Sequence, residues 1–181
     1  MGASQSSLDE VYRREFPSLM ALAYGLSGSR SAAEELVQDA FLAAHRQWSR
    51  IGGYDDLGAW LRRVVVNRSV SAVRRRVAES RALTRLGTRP PLPAPLPAPD
   101  EELWRAVRAL PRRQAQAVAL YYGDDRSIAE IATILDCAEG TVKAHLHAAR
   151  QALAKTLRVD DHPDALDPQG DNDGQEAARE H

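Results

Sequence analysis

An arginine-rich segment is the part of the sequence best suited to binding a polyanion. Between Trp60 and Arg81 the chain has seven arginines and a single acid, Glu79. Guanidinium groups at this density neutralise nucleic-acid phosphates and release their counterions. Asn67 and Ser71 are four residues apart, so a helix would place both within reach of one ligand. Taken alone, Asn67 fits a solvated surface amide better than a ligand contact. The arginines are Arg62, Arg63, Arg68, Arg74, Arg75, Arg76 and Arg81.

A helix-turn-helix pattern is the second candidate nucleic-acid feature. Ser127 and Glu130 form a capping box at the start of an apolar helix that ends at Leu135. About four residues, Asp136 to Glu139, separate this helix from the next helical apolar spacing. An ordinary helical hairpin shares this spacing, but the short turn, the small Ala132 at the crossing and the polar leading turn favour DNA binding. The leading turns of the second helix expose Thr141, Lys143, His145, His147 and Arg150.

Two helices are predicted to precede the arginine-rich segment. The first runs from about Leu8 to Leu26 and ends at Gly28. The second opens at Ser31, where Glu34 completes a capping box. Its inward stripe is predicted to be Val37, Phe41, Ala44 and Trp48. A different face carries Glu35, Gln38, Asp39, Leu42 and Arg46.

A long helix is predicted to carry the arginines. It starts near Asp55 or Asp56, after the breaker Gly52-Gly53, and continues towards Arg81. The residues predicted to be buried along it are Leu57, Trp60, Leu61, Val64, Val70, Val73 and Val77. No strand period interrupts the pattern, so the predicted fold class is all-α.

A proline-rich run divides the chain into two predicted domains. Six of the ten prolines fall between Pro90 and Pro99, where regular backbone hydrogen bonding lacks donors. We predict a first helical domain over 8–81, a linker over 82–99 and a second helical domain over 100–158. The second domain includes a helix after Pro111 that carries Ala115, Val118, Ala119 and Leu120. The segment 159–181 is predicted to be a disordered acidic tail.

Charge is distributed unevenly along the chain. The formal net charge is -1, but Asp160 to His181 contain eight acids and one base, so the preceding part is net basic. A basic body suggests a polyanionic partner, although a mildly basic surface is more often only solvated. The only cysteine, Cys137, excludes a disulfide within the chain and a cysteine-based zinc site.

Other function classes find little support in the sequence. We find no G-x-S-x-G elbow, phosphate-binding glycine loop or H-E-x-x-H motif, so we expect no catalytic residues and no cofactor. His145 and His147 are two apart on a helix and make a poor metal pair, so no metal site is expected. No apolar run reaches the roughly 20 residues of a membrane span and no secretory signal opens the chain, so cytoplasm is the expected compartment.

The order of four segments resembles one family of transcription factors. These segments are AEELVQDAFLAAHRQW, AWLRRVVVNRSVSAVRRR, LPRRQAQAVALYY and SIAEIATILDCAEGTVKAHLHAARQAL. Together they resemble the extracytoplasmic-function (ECF) sigma factors of the sigma-70 superfamily, over about residues 8 to 157 without the linker. The resemblance implies two small helical domains, a region 2-like bundle and a region 4-like helix-turn-helix domain. It also implies a factor that directs core RNA polymerase to promoter DNA.

The resemblance assigns roles to three sets of residues. The first set, Glu35, Gln38, Asp39, Leu42 and Arg46, resembles the surface that docks on the clamp helices of the polymerase's largest subunit. The second set resembles the reader of the −10 element in melted DNA, with Asn67 at the flipped-base pocket; it comprises Trp60, Arg62, Arg63, Asn67, Arg68, Ser71, Arg74, Arg75 and Arg76. The third set resembles the −35 recognition helix: Glu139, Gly140, Thr141, Lys143, Ala144, His145, His147 and Arg150. The flap of the second-largest subunit is a further implied contact, and an anti-sigma factor is a candidate partner.

The chain departs from the family pattern in its recognition helix. Family members commonly have a serine-arginine pair after Thr-Val-Lys and an arginine two residues before Arg150, where this chain has Ala144, His145 and Ala148. These departures predict a weaker or differently specified −35 contact. The alternative left open by the sequence is a stand-alone helix-turn-helix regulator that binds DNA without polymerase.

Overall fold

The regular elements of the protein are helices. The computed structural model describes residues 7–69 and 101–157, and no strand occurs within these two ranges. The first range contains α1 (Leu8–Ser27), α2 (Arg30–Arg46), the single turn α3 (Trp48–Ile51) and α4, which covers 57–69. The second contains α5 (Glu101–Ala109), α6 (Arg112–Val118), α7 (Ile128–Leu135) and α8 (Glu139–Leu157). A π-helical turn, Ala119–Gly123, continues α6 directly. The prediction of an all-α fold is confirmed.

Local capping explains where the first two helices begin. Ser7 and Glu10 form a capping box at the start of α1, and Gly28 ends α1 in the left-handed region with φ 66°. The predicted capping box at Ser31 is wrong. Ser29, with extended backbone, caps α2 instead, because its Oγ accepts a hydrogen bond from Ala32 N at 3.4 Å. Ser31 therefore lies inside the helix.

The core of the first range follows the predicted apolar stripes in part. Val37, Phe41 and Ala44 of α2 are buried as predicted, whereas Trp48 is only partly buried and begins α3. In α4, Leu57 and Leu61 are buried as predicted and Trp60 and Val64 are half-buried. Val65 and Val66, which the prediction omitted, are fully buried. The predicted core residues Val70, Val73 and Val77 lie outside the described residues.

The start of α4 agrees with the sequence pattern. The Asp56 carboxylate accepts a hydrogen bond from Ala59 N at 2.7 Å, which satisfies one of the free N–H groups of the first turn. The predicted start near Asp55 or Asp56 is therefore confirmed. The predicted linker over 82–99 and the tail over 159–181 lie outside the described residues.

The second range contains the predicted helix-turn-helix. The capping box of Ser127 and Glu130 starts α7, and Asp136, with φ 55°, ends it. Only three residues, 136–138, separate α7 from α8, because Glu139 is already helical. The buried residues of the two helices are Ile131, Ala132, Ile134, Leu135, Val142, Leu146 and Ala149. None of the described helices is long and apolar enough to cross a membrane.

Candidate nucleic-acid and protein interfaces

One face of α2 is exposed. Glu35, Gln38, Asp39, Leu42 and Arg46 are all exposed, while Val37, Phe41 and Ala44 anchor the opposite side. Leu42 is 52% exposed and lies among charged and polar neighbours on this face. The predicted residues therefore form one continuous surface, which we call the α2 face.

Tyr12 of α1 places beside α2 an exposed aromatic ring that the sequence did not single out. Its ring lies 4.7 Å from that of Phe41 and 4.9 Å from that of Phe16, yet the residue is 44% exposed. In the sequence, Tyr12 occurs in an ordinary amphipathic stretch of α1. Its exposure follows from the packing of α1 on α2, which no local signal reveals.

The described part of α4 separates the predicted −10 residues into two groups. Asn67 and Arg68 are exposed, and Trp60 and Arg63 are half-buried. Arg68 Nη1 donates to Asp39 Oδ2 at 2.5 Å, so it connects α4 to the α2 face. Arg62, by contrast, is only 2% exposed, so the prediction of an arginine surface that includes it is wrong for this conformation. Ser71, Arg74, Arg75 and Arg76 lie outside the described residues.

Arg62 is buried because two carboxylates from distant parts of the chain neutralise it. Its Nη1 donates to Glu15 Oε2 of α1 at 2.6 Å, and its Nη2 donates to Asp124 Oδ1 of the second range at 3.2 Å. Its Nε also donates to the Asp124 carboxylate. Arg126 Nε donates to the same carboxylate at 3.1 Å. Since burying an unpaired charge is costly, this placement depends on both partners.

The ionisation of this cluster favours the charged forms. Burial raises the pKa of Glu15, but the hydrogen bonds from Arg14 and Arg62 outweigh it and hold that pKa below its usual value. Burial likewise disfavours the Arg62 cation, yet the hydrogen bonds to Asp124 and Glu15 raise its pKa above the ordinary value. Both shifts favour the charged forms of Glu15 and Arg62.

Two other −10 candidates contact the second range. Arg63 Nε donates to Ile134 O at 3.2 Å, and its Nη2 donates to Thr133 O. Arg112 Nη2 donates to Asn67 Oδ1 at 3.4 Å. The structure therefore brings three of the predicted −10 residues, Arg62, Arg63 and Asn67, into contact with the second range.

The leading turns of α8 form a separate exposed surface. The exposed members of the predicted −35 set are Glu139, Gly140, Thr141, Lys143, Ala144 and His147, while His145 and Arg150 are half-buried. Arg150 Nε donates to Tyr122 Oη at 3.0 Å, which fixes the guanidinium against the π-helical turn. His147 Nε2 lies 3.0 Å from Gln151 Nε2. On this surface Lys143 forms no ion pair with any residue that the structure describes, and its neighbours are small and polar side chains.

Protein-family comparisons match both ranges. The model described as "Sigma-70 region 2" matches residues 11–79, and that described as "Sigma-70, region 4" matches residues 100–153. The ECF RNA polymerase sigma factor SigM of Mycobacterium tuberculosis is 33% identical over 159 residues, covering 83% of this chain and 77% of the relative. The ECF RNA polymerase sigma factor EcfG of Rhodopseudomonas palustris is 36% identical over 150 residues, covering 80% and 81%.

Solved structures agree with this grouping. The sigma factor RpoE, solved in complex with the anti-sigma factor NepR from Bartonella quintana, superimposes with a TM-score of 0.67 at 28% identity, covering 84% of this chain and 98% of that one. CnrH, solved with the cytosolic domain of CnrY, shares the fold with a TM-score of 0.64 at 20% identity, covering 85% and 89%. A stand-alone helix-turn-helix regulator would not account for the region 2 match. The chain therefore belongs to the ECF RNA polymerase sigma factors of the sigma-70 family, alternative sigma factors that direct transcription initiation.

Proposed function

We propose that region 2 (α1–α4) and region 4 (α5–α8) divide three binding tasks: core RNA polymerase, the −10 element and the −35 element. The observation that carries this proposal is the match of both sigma-70 regions in family order, at 11–79 and 100–153. The α2 face, the exposed part of α4 and the leading turns of α8 provide one surface for each task.

The α2 face is assigned to the clamp helices of the polymerase's largest subunit. An exposed Leu42 surrounded by Glu35, Asp39 and Arg46 has the composition of a protein interface, with an apolar centre and a charged rim. The exposed ring of Tyr12, which packs on Phe41 of α2, is a further candidate contact, since aromatic side chains are enriched at protein interfaces. Region 4 is assigned to the flap of the second-largest subunit.

The helix α4 is assigned to the melted −10 element. Asn67 is exposed and carries both a donor and an acceptor, as recognition of a base that has left the stack requires. Arg68 is also exposed and can exchange its surface partner Asp39 for a phosphate. Trp60 and Arg63 precede Asn67 on the same side of the helix, and arginines with an aromatic ring suit the backbone and bases of a single strand.

The helix α8 is assigned to the −35 duplex. Lys143 is exposed and suited to a phosphate, while Thr141 and the adjacent Ala144 leave room for close approach to base edges. His147 adds a polar side chain one turn later. With Ala144 and Ala148 where relatives commonly have longer side chains, we propose that few side chains contact bases directly and that promoter preference is correspondingly broad.

An anti-sigma factor and a cytoplasmic location complete the proposal. The solved relative RpoE is bound to the anti-sigma factor NepR, which supports a regulatory protein of this type as a partner of this chain. Core RNA polymerase and promoter DNA are cytoplasmic in bacteria, so the proposed partners imply that compartment.

Gel filtration with bacterial core RNA polymerase tests the proposed function. We expect the full-length protein to co-elute with the enzyme at moderate salt, and the reconstituted holoenzyme to give run-off transcripts from its promoters. Separate elution of a protein shown to be folded by circular dichroism would contradict polymerase binding. Duplex DNA binding without polymerase would then support a stand-alone regulator.

A further inference from the structure

Region 4 covers part of the helix that is proposed to bind −10 DNA. The Arg62–Asp124 pair joins residues 62 positions apart, and the two side chains are only 2% and 1% exposed. Gln116, itself 1% exposed, donates from Nε2 to Val66 O of α4 at 2.9 Å. A buried amide and a buried ion pair between the same two regions indicate a specific contact, because polar groups are buried where hydrogen-bond partners meet them.

Steric fit supports the same contact. A Cβ on Gly25 of α1 would lie 2.8 Å from the Trp104 ring, and a Cβ on Gly123 would also lie 2.8 Å from it. The indole of region 4 is therefore held between a glycine of region 2 and a glycine of its own region. Gly25 lies inside α1, and glycine stabilises a helix less than alanine does. The close approach of the Trp104 ring explains why a glycine occupies this position.

An arginine from each region lies at the carboxyl end of a helix in the other region. Neither α1 nor α7 has a basic residue in its last turn. Arg108 of region 4 donates from Nη1 to Gly25 O near the end of α1 at 3.3 Å, and Arg63 of region 2 donates to carbonyl groups in the last turn of α7. Each region thus supplies the positive charge that favours the carboxyl end of the other's helix. We call these contacts between regions 2 and 4 the closed interface. They are the Arg62–Asp124 ion pair, the Gln116–Val66 hydrogen bond, the Trp104–Gly25 contact and the hydrogen bonds of Arg108 and Arg63.

We propose that the closed interface is autoinhibitory: Asp124 takes the place of a DNA phosphate at Arg62, and region 4 withholds α4 from single-stranded promoter DNA until the regions separate. The inference rests on the proposed function of α4. A carboxylate is an anion of the kind that arginine also binds in DNA, so the two compete for one guanidinium. The half-buried Arg63 and the exposed Asn67 of α4 also form hydrogen bonds with region 4 in the same state.

Each region keeps a counter-charge for its part of the buried ion pair when the regions separate. Glu15 lies on α1 and keeps its 2.6 Å bond to Arg62 when Asp124 leaves, so the cation retains one charged partner. Asp124 in turn keeps its 3.1 Å contact with Arg126 of region 4. Because each side retains a counter-charge, opening requires no unpaired buried ion.

Energy transfer between two dyes on the full-length chain tests the closed interface without DNA or polymerase. The dyes are attached to Arg13→Cys and Lys155→Cys, both at exposed positions, after Cys137→Ser removes the only native cysteine. We expect high transfer in the parent and lower transfer in Asp124→Asn and Gly25→Ala. The first variant removes charge, whereas the second places a methyl group against the Trp104 ring.

Matched controls are available for both variants. Asp125→Asn makes the same charge change at an exposed neighbour that forms no ion pair with the described residues, and asparagine tolerates its φ of 53°. Gly53→Ala adds a methyl group where nothing lies within 4 Å. Both controls should keep the transfer of the parent. Parental transfer in both Asp124→Asn and Gly25→Ala would overturn the closed interface.

Binding of a fluorescent single strand of about 20 thymidines then tests inhibition. If the closed form is in about tenfold excess, the apparent affinity of the two open variants should be about tenfold higher than that of the parent. Asp125→Asn should bind like the parent, which excludes a mere effect of net charge. If the variants separate the two regions but bind the strand no more tightly than the parent, the proposed inhibition is overturned and the DNA role of α4 is contradicted. Co-elution with core polymerase would still test the rest of the proposed function.

Discussion

Replacing Asp39 with arginine separates polymerase binding from fold stability. The Asp39 carboxylate lies 2.5 Å from Arg68 Nη1, and the two side chains are 52% and 47% exposed. An ion pair at this exposure contributes about 0.2–1 kcal/mol to the free energy of unfolding. A new guanidinium beside Arg68 adds a repulsion of ~1 kcal/mol, because unit charges roughly 4 Å apart in water interact by that amount. We therefore expect Asp39→Arg to lower the free energy of unfolding by about 1–2 kcal/mol.

In Asp39→Arg, the loss of binding free energy for polymerase should exceed the loss in the free energy of unfolding. Reversing a charge within an interface places like charges together, which costs several kcal/mol. A cost of ~2.8 kcal/mol corresponds to about a hundredfold higher Kd. Asp39→Asn removes the charge without reversing it and should raise the Kd by about tenfold.

The assay is a titration of fluorescently labelled protein with core polymerase, followed by anisotropy, with urea unfolding of each variant in parallel. Glu102→Arg is the matched control, since it makes the same charge reversal at an exposed position outside the α2 face. We expect this control to bind like the parent. A Kd for Asp39→Arg within about twofold of the parent value would refute the assignment of the α2 face.

Three further predictions concern α4, α8 and the buried cluster. Asn67→Ala should reduce promoter opening, measured by permanganate reactivity of the −10 thymines, while core binding stays at the parental level; equal losses in both would argue against a base contact. Lys143→Ala should weaken duplex promoter binding uniformly across sequences and reduce the slope of log K against log salt by about 1; an unchanged slope would exclude a phosphate contact. Glu15→Gln should destabilise the fold at neutral pH by roughly 1–3 kcal/mol. Because the folded pKa of Glu15 is lowered, its stabilisation is present above the unfolded value near 4.5 and is lost as pH falls through the folded pKa. Urea midpoints of this variant should therefore depend less on pH below about 5, and a parental pH profile would contradict the argument.

Local sequence signals were sufficient to predict most helices of this protein. The short α7–α8 connection, the capping box at Ser127 and the glycine after α1 each act within a few residues, so periodicity and capping rules apply to them directly. The start of α2 was misplaced because Ser29 and Ser31 are both suitable caps. The backbone of Ser29, extended next to the left-handed Gly28, decided between them.

The candidate site was less predictable where it depends on distant residues. The α2 face followed from helical spacing alone, and all five of its predicted residues are exposed. The burial of Arg62 could not be predicted, because its partner Asp124 is 62 positions away and no local pattern distinguishes it from the neighbouring Arg63. For the same reason, no local pattern singles out Gln116, which is buried and donates to Val66 O.

The π-helical turn at Ala119–Gly123 determines the direction in which the side chains that follow it point, including that of Asp124. A wider turn accommodates one more residue than an α-helical turn, and Arg126 N closes the segment by donating to Leu120 O at 3.0 Å. Deleting one residue within 119–122 would allow an ordinary α-helix and rotate the following side chains by about 100°. Asp124 would then point away from Arg62, while the capping box of α7 would be preserved. Insertions and deletions here would therefore keep the fold but rotate the side chains that follow, altering which surfaces the two regions present to each other.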